Sequence, residues 1–235
     1  MNFSYEDVAK TIDHSLLNPS LTVSDLEWGC ELAARFDVAS VCILPYYVRR
    51  CAEVLHGTSV VASTTIGFPH GGHTTAVKMA EAEGALADGA IELDMVVNIS
   101  KVLSGDYAYV GAEVGRVVGV THAGGGKLKV IFENCHLNAE QKITLCRVCS
   151  DAGVDWVKTS TGYGAGGATI EDLELMLRNV GPQVQVKAAG GVRDLDTLLK
   201  IKAMGVTRCG ATRTANMLNE FRARLGQELI TLNFG

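Results

Sequence analysis

Residues 155–167 run Asp-Trp-Val-Lys-Thr-Ser-Thr-Gly-Tyr-Gly-Ala-Gly-Gly, a short apolar run that ends on a lysine and passes at once into hydroxyls and glycines. The run 154–157 has the composition of a buried strand, and the glycines behind it mark a turn. Burying an ammonium costs several kcal/mol unless it is paired or neutralised, so Lys158 is either half of an ion pair or an amine kept uncharged for chemistry. Residues 184–191, Val-Gln-Val-Lys-Ala-Ala-Gly-Gly, repeat the layout around Lys187. As neighbouring parallel strands in register, about 4.8 Å apart, they would bring both amines into one pocket. At roughly 6 Å and an effective dielectric of about 20, two ammonium charges repel by about 3 kcal/mol. One of the two is then expected to be a free amine near neutral pH.

Outward from this pair, strand and helix patterns alternate along the whole chain. Residues 4–11 form a short leading helix, with Ser4 as its cap and Asp7 three positions on. Strands are expected at 12–17, 39–44 (stopped by Pro45), 59–66, 90–97, 128–132, 154–158, 184–187 and 206–209. Helices fill the intervals at 21–36 (capped by Thr22 or Ser24), 46–55, 74–88, 106–122, 138–152, 169–180 and 194–204, and a last one runs from 212 to about 225. Asn138 with Gln141 three residues later is a capping box. Eight strands, short connections and 235 residues indicate one (β/α)8 TIM barrel domain over 1–235, with a short N-terminal extra helix, rather than an open doubly wound sheet.

Composition narrows the class further. A formal net charge of −5 and 47% hydrophobic residues suit a globular domain with one large core and supply no basic stripe for nucleic acid. No run approaches the ~18 apolar residues of a membrane span, and the opening Met1-Asn-Phe-Ser-Tyr-Glu-Asp lacks the regions of a signal peptide, so a cytoplasmic chain is expected. Seven cysteines, an odd number spread over strands and helices, read as reduced thiols. Cys146 and Cys149 make a C-x-x-C inside a helix with no second ligand pair, and His70 and His73 have no identifiable third ligand. No metal site and no cofactor are expected.

In a barrel of this kind the site lies at the carboxyl ends of the strands, where Lys158, Lys187 and Asp94 converge. Lys158 is the candidate Schiff-base nucleophile, activated by apolar surroundings and a cationic neighbour; its alternative is a lysine reaching to solvent or paired with an acid. Lys187 is either that charged neighbour and proton donor or a phosphate holder. Asp94 is a proton carrier or a purely structural counter-ion, and Glu92 belongs deeper, in a polar layer. The turns at Thr161-Gly162, Gly190-Gly191 and Gly210-Ala-Thr212-Arg213 offer N–H groups to an anion at one rim, which points to a phosphorylated substrate. Cys42 is expected near the pocket, as a packed thiol.

Taken together, the segments Asp13-His-Ser-Leu-Leu17, Gly67-Phe-Pro69, Thr74-Thr-Ala-Val-Lys78, Glu92-Leu-Asp-Met-Val-Val-Asn98, Lys129-Val-Ile-Phe-Glu133, Val157-Lys-Thr-Ser-Thr-Gly162, Val186-Lys-Ala-Ala-Gly-Gly-Val-Arg193 and Arg208-Cys-Gly210 resemble deoxyribose-phosphate aldolase. They follow that family's order over nearly the whole chain. The resemblance implies the barrel fold and a metal-free class I cleavage of 2-deoxy-D-ribose 5-phosphate to D-glyceraldehyde 3-phosphate and acetaldehyde. By the same resemblance Lys158 is the Schiff-base lysine, Lys187 the lysine that lowers its pKa, Asp94 the general acid/base working with a water, and Asp13 a supporting carboxylate. Thr161, Gly162, Gly190, Gly191 and Gly210 resemble the phosphate cradle, with Thr212 and Arg213 beside it. Attack at C1, loss of the C3 hydroxyl proton and cleavage at C3–C4 are expected in turn.

Departures at Asn18, Leu44, His73, Ala189 and residues 210–213 touch the rim, and a closing Phe234-Gly235 stands where some members carry a tyrosine. Barrels of this kind often pair, so a homodimer is the expected assembly. The competing readings are a Schiff-base lyase for another phosphorylated sugar and a phosphosugar-binding barrel without turnover.

Overall fold

A computed structural model describes residues 3–232. The expectations attached to Met1-Asn2 and to Phe234-Gly235 lie outside the described residues. Eight parallel strands, β1 Ile12–Leu16, β2 Ser40–Ile43, β3 Val61–Ile66, β4 Glu92–Val96, β5 Lys127–Ile131, β6 Trp156–Lys158, β7 Gln185–Ala189 and β8 Arg208–Ala211, follow one another in sequence order. They close into a barrel, with β8 returning to pair β1 through Asp13 opposite Gly210. The helices are α1 Tyr5–Ala9, α2 Val23–Phe36, α3 Val48–Leu55, α4 Thr75–Ala87, α5 Ile99–Leu103, α6 Tyr107–Ala123, α7 Ala139–Ala152, α8 Ile170–Asn179, α9 Leu195–Ala203 and α10 Thr214–Arg224. The fold is the expected (β/α)8 barrel with α1 as its extra helix.

Local chemistry accounts for the boundaries. Ser4 with Asp7, Thr22 with Asp25 and Asn138 with Gln141 form reciprocal capping boxes, which satisfy N–H groups that a helix start leaves orphaned. Thr22, not Ser24, is the cap of α2. Helix α7 stops at Gly153, left-handed at φ 75°.

Three departures from the expected pattern have simple causes. Pro45 opens a 3-10 turn, Pro45–Tyr47, so α3 starts only at Val48. The five-residue α5 is capped by Asn98 and is too short to show a helical period. Strand β8 begins at Arg208, two residues later than expected: the turn at Met204-Gly205 leads first through the irregular Val206-Thr207.

Strand side chains alternate between the barrel interior and the helices. Leu93, Val130, Val157 and Val186 are fully buried within the apolar cluster that the strands share with the helices. Their neighbours Glu92, Asp94, Lys129, Lys158 and Lys187 are also buried. The interior layer of this barrel is therefore largely ionic, and that layer forms the floor of the site.

Candidate active site

Lys158 ends β6 and stands opposite Lys187 of β7 in the strand register. Both amines reach one oxygen on β4: Lys158 Nζ is 2.6 Å and Lys187 Nζ 2.8 Å from Asp94 Oδ2. Lys187 Nζ also lies 2.5 Å from Asp13 Oδ2. Lys129, opposite Asp94 in the β4–β5 register, takes the other side, 3.0 Å from Asp94 Oδ1 and 2.6 Å from Glu92 Oε2. Arg208 closes the network, donating to Asp13 Oδ1 at 2.6 Å and to Glu92 Oε1 at 2.7 Å. Its guanidinium lies 4.9 Å from the centre of the Trp156 ring, a favourable seat for a cation.

The cluster holds three carboxylates, Asp13, Glu92 and Asp94, against four bases, Lys129, Lys158, Lys187 and Arg208. Buried ions are tolerated only when paired, so a formally neutral cluster requires one base to give up its proton. The electrostatics single out Lys158. Burial and the charge of Lys187 push its amine below the usual lysine range, with Asp94 opposing them. Lys187 goes the other way: burial would lower it, but Asp13 and Asp94 hold it above its ordinary value. Lys129 is held well above its ordinary value, Asp13, Asp94 and Glu92 outweighing its burial. Burial would raise both Asp94 and Asp13. The lysines outweigh burial at Asp94, and Lys129, Lys187 and Arg208 do so at Asp13, holding each carboxyl well below the carboxylate range. Burial lowers both amines alike and is the largest influence on Lys158; what separates the two is Asp13, which raises Lys187, and the Lys187 charge, which lowers Lys158.

A cavity of about 860 Å³ opens above this floor at the carboxyl end of the barrel. Asp13, Cys42, Lys158, Lys187 and residues 161–163, 189–193 and 210–212 line it. Of the expected residues, Thr161, Gly162, Gly190, Gly191, Gly210, Thr212 and Cys42 therefore face one space with the two lysines. Asp94 does not; it is fully buried one layer down, so any proton it exchanges with a ligand passes through an amine or a water.

Two further placements differ from expectation. Arg213 is outside the cavity lining, exposed at the start of α10, and the arginine that lines the rim is Arg193. Thr161 lines the cavity, but its N–H and hydroxyl both donate to Glu133 Oε2, the N–H at 3.2 Å. Its polar groups are committed inward and are not free for an anion.

The turn after β7 depends on close backbone approach. Gly190 is left-handed at φ 74°, and a Cβ on Gly167 would come within 2.5 Å of Gly190 O.

Cys42 is a packed thiol pushed up by burial. Burial pushes the Cys146 thiol up to about 12 and Cys149 well above its ordinary value, unlike a redox-poised pair. His73 Nδ1 sits 4.0 Å from Glu81 Oε1, and among the described residues no group of three or more His, Cys, Asp or Glu stands close enough together to hold a metal. No helix among the described residues is long and apolar enough to cross a membrane. His14 lines the cavity beyond what the pattern indicated, with Nδ1 2.8 Å from Thr214 Oγ1 and its imidazole lowered to about 4 by burial.

A closed (β/α)8 barrel whose carboxyl-end cavity bottoms on buried lysines is the architecture of an enzyme acting on a carbonyl carbon. Comparison with known proteins makes the class specific: the model of the DeoC/LacD family of aldolases matches residues 7–215. A deoxyribose-phosphate aldolase of Rhodopirellula baltica is 63% identical over 231 residues, 98% of this chain and 96% of that protein. One from Thermococcus gammatolerans is 46% identical over 88% of this chain and 92% of its own length. The solved structure of a tetrameric deoxyribose phosphate aldolase from Aeropyrum pernix superposes with a TM-score of 0.86 at 29% identity, covering 94% of this chain and 93% of its own. The chain belongs to the DeoC/LacD family of aldolases and is a lyase.

Proposed function

We propose that this aldolase cleaves 2-deoxy-D-ribose 5-phosphate reversibly to D-glyceraldehyde 3-phosphate and acetaldehyde through a Schiff base on Lys158. The observation that carries the reading is the divided fate of the two opposed lysines. Lys158 is pushed toward the free amine at the cavity floor, while Lys187, 2.8 Å from the same carboxylate oxygen, keeps its proton. A neutral amine can attack the C1 aldehyde, and a charged one beside it can hand over a proton.

Loss of water leaves an iminium that draws electrons from the adjacent bond once the C3 hydroxyl loses its proton. Carbon count puts the break at C2–C3, not at C3–C4 as expected from the resemblance: acetaldehyde carries away C1 and C2, and C3 becomes the new aldehyde. Protonation of the enamine and hydrolysis return Lys158. Lys187 and Asp94, joined by their hydrogen bond, act as the relay, and Asp13 keeps Lys187 charged. The iminium is itself the electron sink, so the chemistry calls on no cofactor.

The phosphate is assigned to the turns after β7 and β8, with Gly190, Gly191 and Gly210 approaching it closely and Arg193 supplying charge. The names of the relatives support the same substrate. The seven free thiols suit a reducing cytoplasm. A homodimer is the proposed assembly, to be separated from a tetramer like that of the Aeropyrum pernix relative by light scattering.

Borohydride reduction in the presence of acetaldehyde tests the central step. A two-carbon adduct on the peptide containing Lys158, lost in Lys158→Arg because a guanidinium stays charged, is the expected result. An unmodified chain would instead favour a sugar-phosphate-binding barrel without turnover, and retained trapping in the variant would mean that another amine is the nucleophile. A ketose phosphate cleaved in preference to deoxyribose phosphate would point to another Schiff-base lyase.

A further inference from the structure

Tyr163 sits at the tip of the loop after β6, five residues beyond Lys158, and makes two contacts that the chemistry above does not use. Its hydroxyl donates to Leu17 O at 2.6 Å, in the loop after β1. Its ring packs edge-on against Phe68, in the loop after β3, with centroids 5.4 Å apart and planes at 89°, a favoured aromatic geometry.

In the closed strand order, β7 and β8 separate β6 from β1, and β4 and β5 separate it from β3. A side chain from the β6 loop that touches both of the other loops must therefore cross the mouth of the barrel. The base of this crossing is fixed. Thr161, whose hydroxyl is held by Glu133, accepts the Tyr163 N–H at 3.0 Å, and Glu133 is a buried non-glycine residue in the left-handed region at φ 56°.

The cavity has the shape such a barrier would produce. Residues of the loops after β1, β6, β7 and β8 line it, Tyr163 among them, and none from the loops after β3, β4 or β5 does so. The open space above Lys158 thus lies on the side of the β6, β7, β8 and β1 loops, with Tyr163 on its border and Phe68 packed against that ring. Packing alone would not call for this: Tyr163 is 48% exposed, so its ring adds little to the core, and its hydroxyl could have been left to water.

We infer that Tyr163 is a specificity-determining wall, tethered to Leu17 and backed by Phe68, that leaves room for a chain running from Lys158 toward the turns after β7 and β8 but not for a second branch at C2 of the aldehyde Lys158 carries. The inference rests on the Schiff-base reading above. An apolar wall discriminates by shape, and one surplus methylene in a closed pocket typically changes a rate by ~10–200-fold.

Borohydride trapping with acetaldehyde and with 2-methylpropanal, whose second methyl branches at C2 where deoxyribose has a plain CH2, followed by intact mass, reads the space around Lys158 without any acceptor. The ratio of branched to two-carbon adduct should be low in the wild type and rise at least about tenfold in Tyr163→Ala. Tyr163→Phe keeps the ring and loses the tether, so its ratio should rise less. Phe68→Ala removes the backing from the β3 side and should move the ratio in the same direction as Tyr163→Ala, which keeps the test decisive should the Tyr163→Ala chain fail to fold.

A ratio unchanged within about twofold in Tyr163→Ala and Phe68→Ala, or a wild type that takes the branched aldehyde as fast as acetaldehyde, would overturn the wall while leaving the aldolase standing. A wild type without any acetaldehyde adduct would overturn both.

Discussion

Lys158 and Lys187 face each other across the β6–β7 register and share a single acceptor, Asp94 Oδ2, at 2.6 and 2.8 Å. Sharing does not make them equivalent. Lys187 has a second carboxylate, Asp13, at 2.5 Å, whereas Asp94 is the acid bonded to Lys158. Two amines in almost the same position are thereby shifted in opposite directions, with one additional acid as the main difference between them.

Removing the charge of Lys187 tests this division. On the proposed mechanism the nucleophile is the free Lys158 amine, which is held low by burial and by the Lys187 charge. In Lys187→Met the amine's pKa rises, less of it is free at a given pH, and the acid limb of acetaldehyde trapping moves to more alkaline pH. Loss of the proton donor should also lower kcat on the order of 10²-fold. The pH profile of borohydride trapping checks the first effect and steady-state cleavage the second; an unmoved acid limb would remove Lys187 from this role.

The buried carboxylates predict how stability responds to acid. Burial would raise Asp13, but its cations hold it below the carboxylate range. Its contribution is then fully present above the unfolded pKa of about 3.9 and is lost as pH falls toward the folded one. Urea midpoints should hold near neutrality and drop below about pH 4. Asp13→Asn should lower the neutral midpoint, by about 3–5 kcal/mol in free energy, because Lys129, Lys187 and Arg208 lose a partner in the interior. It should also flatten the acid slope; an unchanged slope would mean that Asp13 is not the linked group.

The phosphate end can be tested without touching a charge. Gly167 lies against Gly190 O so closely that a Cβ would sit 2.5 Å from it, and Gly190 is left-handed at φ 74°. Gly167→Ala should push the 190–191 turn out of place and raise KM for deoxyribose 5-phosphate about tenfold or more, with little change for unphosphorylated deoxyribose. Equal effects on both sugars would place the phosphate elsewhere.

Much of this was legible in the chain. The lysine ending β6 and its echo in β7 implied a shared pocket because parallel neighbours in register put equivalent positions side by side, and the two lysines are register partners. Lys129 and Arg208 escaped notice for a related reason. Each reads as a basic residue in an apolar strand, and only the stagger of the closed barrel puts both beside Glu92. The alternation Glu92, Asp94 and Lys127, Lys129 was the available signal. Arg213 was expected at the rim and Arg193 was not, because both follow small residues after a strand and local pattern does not say which way a loop side chain turns. The same limit hid Tyr163, whose partners lie 146 residues away in the case of Leu17 and on the β3 loop in the case of Phe68.

The second buried ion pair offers a test away from the cavity. Lys78 Nζ donates to Glu113 Oε2 at 2.9 Å and to Val96 O at 2.8 Å, and Glu113 Oε2 accepts Asn98 N–H at 3.2 Å. Both side chains are fully buried, and burial lowers the Lys78 amine despite its partner. The pair thus grips the end of β4 on either side of Val97, three residues beyond Asp94. Lys78→Met leaves an uncompensated carboxylate in the interior and should cost about 3–5 kcal/mol. The double variant Lys78→Met/Glu113→Leu removes both charges and should recover part of that loss. It will not recover all, because Val96 O and Asn98 N–H are left without partners at about 1–3 kcal/mol each. Denaturant midpoints of the two single variants and the double variant close the cycle. A double variant as unstable as the sum of the singles would mean that the two charges are not coupled. If β4 is held as described, the double variant will also show lowered kcat with little change in KM, since the displaced group is Asp94 and not the phosphate turns.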